Sequence, residues 1–177
     1  RSLIALGVRA RTGVRVTAIG EDGVTIMSEA GEQHIAARTV LWAAGVRASP
    51  LARMLGEAVG AEVDQAGRVR VEKDLSLRGH PELFVLGDAA WCDQDGHRLP
   101  GTCPVAMQQG WFMEKAIGAR LKQTEAPGFR FWDKGNMATI GRRAAVADLG
   151  FIRFGGWFAW VAWLVLHLLF LVPFRLR

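Results

Sequence analysis

From residue 14 the chain alternates between apolar and polar positions. Val14, Val16 and Ala18 are separated by Arg15 and Thr17, a Glu21-Asp22-Gly23 turn follows, and apolar residues resume at Val24. The pattern predicts a β-hairpin from strands over residues 14–19 and 24–27. A third short strand is predicted over 34–38, which completes a small antiparallel meander. Ahead of it, residues 3–7 read as the end of a helix stopped by Gly7. Residues 39–45 (TVLWAAG) are apolar without alternation and end in small residues, as in a strand buried on both faces. A loop and short helix through 49–55 follow, with Pro50 in the first helical turn. A short strand over 69–71 comes after the Gln65-Ala66-Gly67 turn, and 83–86 predicts another buried strand running into Gly87-Asp88. From Pro104 to about residue 121 the apolar positions Val105, Met107, Phe112 and Ile117 suit a helix, which Gly110 and Gly118 weaken. Residues 154–174 are nearly all apolar, with His167 the only readily ionisable side chain. A helix over 157–174 would be roughly 27 Å long, just short of a bilayer's apolar core of about 30 Å.

Composition narrows the class. At 177 residues, half of them apolar, the chain suits one domain or somewhat more and excludes disordered, collagen-like and disulfide-scaffold proteins. The net charge of +5 is not spread evenly. Residues 1–129 carry 15 basic and 15 acidic side chains, and residues 130–177 carry 7 and 2. Cations that flank an apolar run favour a membrane surface over nucleic acid as the partner. Cys92 and Cys103 form no CxxC and no metal-ligand spacing, so no metal site is expected. The chain opens on Arg1 without a signal-peptide pattern and reads as a fragment.

The candidate chemistry is half of a nucleotide site. No glycine among the 21 has another two positions away, so GxGxxG is absent and the first phosphate-binding loop is not in this chain. Gly87-Asp88 after a strand would put a carboxylate where ligands of open α/β sheets bind, although the same pair also makes ordinary turns. The helix that begins near Pro104 could turn its first N–H groups toward an anionic flavin ring.

The segments TVLWAAGVRASPLA, ELFVLGDAA, LPGTCPVAMQQG, FWDKGNMATIGRRAAVADLG and GWFAWVAWLVLHLLFLVPFR resemble, in order and approximate spacing, the type II NADH dehydrogenases, which are single-subunit, non-proton-pumping NADH:quinone oxidoreductases. The resemblance implies an α/β, partial two-dinucleotide-binding-domain flavoprotein fold: the end of the NADH domain over 1–38, the C-terminal part of a Rossmann-like FAD domain over 39–126, and a membrane-anchoring, quinone-side segment with amphipathic helices over 127–177. It implies FAD as cofactor and NADH as co-substrate, with Gly45, Gly87, Asp88, Val105 and Ala106 binding the cofactor. Ala106, Gln108 and Lys134 would face the quinone, Gln108 and Lys134 in catalytic roles. The family's quinone motif AQxAxQ reads Cys103-Pro104-Val105-Ala106-Met107-Gln108 here, so its first half departs. Trp157, Trp160, Trp163, Arg175 and Arg177 would anchor the chain in a monotopic manner on the cytoplasmic face of a bacterial inner membrane. Quinone and membrane lipid are the implied partners, with no nucleic acid and with a homodimer left open. Two alternatives stand beside this reading. One is a sulfide:quinone-type flavoprotein using the cysteines, and the other a non-catalytic, membrane-anchored remnant. The 177 residues alone are expected to bind FAD poorly and turn over little.

Overall fold

Backbone hydrogen bonding in the computed structural model, which describes residues 2–171, gives α1 (Ser2–Ala5), β1 (Arg15–Gly20), β2 (Gly23–Ser28), β3 (Gly31–Ala36), α2 (Pro50–Val59), β4 (Val69–Arg70), β5 (Ser76–Leu77), β6 (His80–Phe84), β7 (Ala90–Trp91), β8 (Asp93–Gln94), β9 (His97–Arg98), α3 (Cys103–Leu121), β10 (Asn136–Gly141), β11 (Ala144–Asp148), β12 (Arg153–Gly156) and α4 (Trp157–Leu171). Two compact units result. One holds the described residues up to Ala43 together with those from Lys134 onward, and the other is Ala44–Asp133.

In the first unit β1, β2 and β3 form the antiparallel meander that the alternation predicts. Gly20 pairs with Gly23 across a Glu21-Asp22 turn. Gly23 has φ 153°, and a Cβ there would run into the carbonyl of Ile35. The third strand is Gly31–Ala36 rather than 34–38, because pairing resumes at Ser28↔Gly31 immediately after a tight turn that the Ser28 hydroxyl closes by donating to the Gly31 carbonyl at 3.2 Å.

The second sheet of this unit, β10-β11-β12, is absent from the sequence-based reading. Its strands are rich in Ala and Gly, which have weak strand preference, and an irregularity between Thr139 and Gly141 breaks the alternation. Those small residues have a use: Ala145, Ala147 and Ala159 are buried together where α4 meets the sheet, with Met137, Phe154 and Trp160 packed around them. Gly135, at φ 93°, opens the sheet where any Cβ would strike the Asp148 backbone. The described part of α4 has 15 residues, about 22 Å, and among the described residues no helix is long and apolar enough to cross a membrane. Residues 172–174 of the predicted helix lie outside the described residues.

The unit Ala44–Asp133 is built on Val69, Leu77, Val85, Ala52 and Ala90, all buried. Helix α2 starts at Pro50, with the Ser49 hydroxyl accepting from the Leu51 N–H at 3.3 Å. It runs past the predicted residue 55 and ends on a left-handed Gly60, a common helix stop. Two predictions for buried strands fail. Residues 39–45 form no strand, and Leu41 is 89% exposed. A strand exists through its neighbours, and among the described residues none pairs with this run. The strand predicted over 83–86 is instead β6, antiparallel to β5. It ends at Phe84, and Val85 N–H then donates to the Leu75 carbonyl at 3.1 Å before the chain turns.

Candidate functional site

A polar constellation lies where the turn after β6 meets α3. Leu86 is extended and Gly87–Ala89 form one 3-10 turn. Gly87 adopts φ 65°, and a Cβ on it would lie 3.5 Å from the Ala106 methyl, so glycine answers both the backbone conformation and the close helix. Its N–H donates to Gln109 Oε1 at 2.7 Å. Asp88, next in the turn, is exposed; its Oδ1 lies 3.3 Å from where a Cβ on Gly101 would project. Thr102 caps α3 with extended backbone and no side-chain cap bond, and proline occupies the first turn. Pro104 has no N–H and that of Ala106 donates to the Thr102 carbonyl, so the Cys103 and Val105 N–H groups are left for another acceptor, beside the positive end of a 19-residue helix.

Helix α3 explains how its residues divide. Val105, Gln109 and Ala116 are buried, a spacing of one helical face. Ala106 lies beside Gly87, and Gln108 faces another way. Gln109, only 1% exposed, is the functional candidate that the sequence reading missed. Its four-residue spacing from Val105 would have put it on the buried face, and a buried amide requires partners.

Gln108 and Gln94 share a task. Gln108 Oε1 accepts from the Trp132 N–H at 3.0 Å while its Nε2 donates to the Trp132 carbonyl at 2.9 Å. Gln94 does the same to Phe131, at 2.7 Å and 3.2 Å. Each amide reproduces the paired bonds of a β-ladder, so the segment entering residue 133 is held by side chains in place of strands. Phe129 adds an edge-to-face contact with Phe112 at 5.5 Å and a 2.7 Å N–H bond to the Lys73 carbonyl. Arg130 pairs with Asp95 at 3.1 Å. One hydrogen of the Gln108 amide and one lone pair of its oxygen are not used by these bonds.

The structure thus brings Gly87, Asp88, Val105 and Ala106 together, with Gln108 one residue beyond Met107 on the same helix. Gly45 sits in an exposed loop at φ 112°. Lys134 is exposed and belongs to the other unit, as do Trp157, Trp160 and Trp163. Trp157 is exposed, and Trp160 and Trp163 are half-buried. Arg175 and Arg177 lie outside the described residues.

Asp64 and Cys92 are among the groups whose titration is displaced. Burial pushes the Asp64 carboxyl up, but hydrogen bonds from the Arg68 backbone and guanidinium, with the charges of Arg68 and Arg98, outweigh it and hold the group below its ordinary range. Both guanidiniums approach Asp64 to 2.8 Å. Burial and the neighbouring Asp93 raise the Cys92 thiol, against a lowering contribution from Gln109. Cys92 is therefore a protonated, sheltered thiol, whereas Cys103 is exposed. No group of three or more metal-ligating side chains occurs among the described residues.

Comparison with known proteins gives a consistent set of relatives. The profile of the pyridine nucleotide-disulphide oxidoreductases matches residues 1–110. A type II NADH:quinone oxidoreductase of Mycobacterium tuberculosis, NdhA, is 42% identical over 183 aligned positions, covering all of this chain and 38% of the relative. The Ndh protein of the same organism is 39% identical, over 97% of this chain and 37% of its own length. The type II NADH:quinone oxidoreductase of Staphylococcus haemolyticus is 33% identical, over 79% and 34%. The chain thus spans less than two-fifths of the length of these relatives. Among solved structures, NDH2 of Plasmodium falciparum in complex with NADH superposes with a TM-score of 0.75 at 15% identity, over 93% of this chain and 48% of that one. The fold is shared with that protein.

Proposed function

The chain belongs to the pyridine nucleotide-disulphide oxidoreductase family, and on that premise we propose that it is the C-terminal part of a type II NADH:quinone oxidoreductase, an FAD enzyme that passes electrons from NADH to a membrane quinone without pumping protons. The observation that carries this reading is the junction of Gly87-Asp88 with the uncapped start of α3, in a chain 42% identical to one such enzyme. On this reading residues 1–38 close the NADH-binding domain, 39–126 complete the FAD domain, and 127–177 form the quinone and membrane side.

The residues present fit FAD. Gly87 leaves room for close approach, Asp88 offers an exposed carboxylate to ribityl hydroxyls, and the first-turn N–H groups of α3 offer positive partial charge to the ring edge. Bound FAD would supply the two-electron relay between nicotinamide and quinone. The protein's own part would be orientation and charge: Val105 and Ala106 would support the helix start, Gly45 would border the site, and Lys134 would stabilise charge that develops on reduction. Gln108 would meet the quinone with the hydrogen its amide has left, while its other bonds hold Trp132. The sulfide-oxidising alternative is disfavoured because Cys92 is sheltered and its thiol is raised.

Helix α4 supports a membrane role. Phe158, Val165, Leu168 and Leu169 are half or more exposed, an apolar face suited to lying within one leaflet. We place the protein on the cytoplasmic face of a bacterial inner membrane. The test uses the complete gene product: Asp88→Ala should lower the FAD recovered per protein, read by flavin absorbance. Lys134→Gln should leave that ratio unchanged and lower quinone turnover. Unchanged FAD content in Asp88→Ala would overturn the assignment, as would equal vesicle flotation with and without residues 151–177 for the anchor.

A further inference from the structure

The turn between β10 and β11 consists of Arg142 and Arg143, flanked by the pair Gly141↔Ala144. Arg143 adopts φ 56°, where glycine or asparagine is the ordinary residue. A side chain kept at a strained turn position points to a use for it. Both guanidiniums are exposed, and among the described residues neither is in an ion pair. The sheet's own carboxylate, Asp148, is taken by Arg153 at 2.8 Å.

These two cations line an open depression with Thr139, Gly141, Trp160 and Trp163. Trp160 is packed against the alanine cluster beneath α4. Trp163 is held against His167, ring centroids 4.1 Å apart, and the His167 Nδ1–H donates to the Trp163 carbonyl at 2.7 Å. The same helix continues into the exposed apolar residues Val165, Leu166, Leu168, Leu169 and Phe170. The combination has three tiers: two guanidinium forks and a hydroxyl, then two indoles, then aliphatic surface. Guanidinium forks match phosphate oxygens, indoles prefer the bilayer interface, and the apolar face suits acyl chains.

We propose that the Arg142-Arg143 turn and the Trp160 and Trp163 rings form a binding site for the phosphate of an anionic phospholipid headgroup. Residues 1–129 carry equal numbers of basic and acidic side chains, so attraction to an anionic surface is local to this end of the chain. Two uncompensated charges select a headgroup with net negative charge over a zwitterionic one. The site rests on the reading of α4 as membrane-facing.

The experiment is partition of the complete protein onto phosphatidylcholine vesicles with and without phosphatidylglycerol. Arg142→Asn/Arg143→Gly installs the residues this turn ordinarily takes, so its melting temperature should equal or exceed that of the parent and misfolding is removed as an explanation. Its partition onto anionic vesicles should fall about 30-fold, two charges at about 1 kcal/mol each, while binding to neutral vesicles stays unchanged. Arg15→Gln/Arg38→Gln removes two exposed cations, one in β1 and one just beyond β3, and should leave anionic partition as it was. The proposal is overturned if the turn variant binds anionic vesicles like the parent, or if the Arg15/Arg38 variant loses as much. It is also overturned if the parent binds inorganic phosphate but partitions no better onto anionic than onto neutral vesicles, which would identify a free phosphate as the occupant. Absence of parent binding to any vesicle overturns the membrane reading itself, and the proposal with it.

Discussion

Replacing Gln109 with leucine removes the acceptor that holds the Gly87 N–H at 2.7 Å. Leucine fills nearly the same space, so the cavity contribution is small and the change isolates the polar term. An N–H stripped of its partner costs about 1–3 kcal/mol when buried, and Gly87 is only partly buried, which favours the lower half of that range. A loss of about 1–2 kcal/mol in a unit of this size lowers its melting temperature by roughly 5–10 °C. Circular dichroism across the thermal transition measures this. A second measurement separates stability from positioning: FAD affinity is titrated well below the melting temperature, where the variant is fully folded. The turn that carries Asp88 begins at Gly87, so FAD should bind several-fold more weakly even there. A destabilisation below about 0.5 kcal/mol together with unchanged FAD affinity would show that the Gln109 bond neither holds the turn nor matters to the site.

Two further outcomes follow from the displaced titrations. Asp64 is held below its ordinary value in the fold, so its contribution is fully present above the unfolded value near 3.9 and is lost as pH falls through the folded one. Asp64→Asn should cost about 2–3 kcal/mol at neutral pH and flatten the stability loss below about pH 4, read from urea unfolding across that range. A parallel pH profile in the variant would refute it. With an aromatic disulfide reagent in mildly alkaline buffer, Cys103 should react rapidly and Cys92 only on unfolding. Cys103→Ser should abolish the fast phase, and a surviving fast phase would identify Cys92 as reactive after all.

The parts of the fold legible in the sequence are those whose hydrogen bonds close locally. The meander β1–β3 and the helices α2 and α3 carry their own turns, caps and periodicity, so residues near one another in sequence suffice to specify them. Residues 39–45 carry a clear buried-strand pattern yet lie exposed as a loop, because pattern describes what a segment needs and not whether a neighbour supplies it. The sheet β10–β12 failed in the opposite sense. Its alanines signal little by themselves, and their value becomes visible only when Ala159 of α4 is seen against Ala145 and Ala147. At the candidate site Gly87 and Asp88 are legible as the polar end of a strand, and Val105 and Ala106 enter through the family resemblance. Gln109 is not legible, since a glutamine beside another glutamine on a helix reads as surface until the burial of Val105 fixes which of the two faces inward.

The paired amides of Gln94 and Gln108 carry a consequence for how this region tolerates change in length. Successive backbone units are each gripped from a different glutamine, so the chain is re-indexed at Phe131 and Trp132 whatever precedes them. An insertion or deletion within 122–128 is absorbed upstream and leaves Lys134 at its proper count. One between Gly135 and Asn136 would move Gly135 from the position beside Asp148 where a side chain cannot fit. Loop grafts and natural length variation therefore belong before Phe131 and Trp132 and not at Gly135.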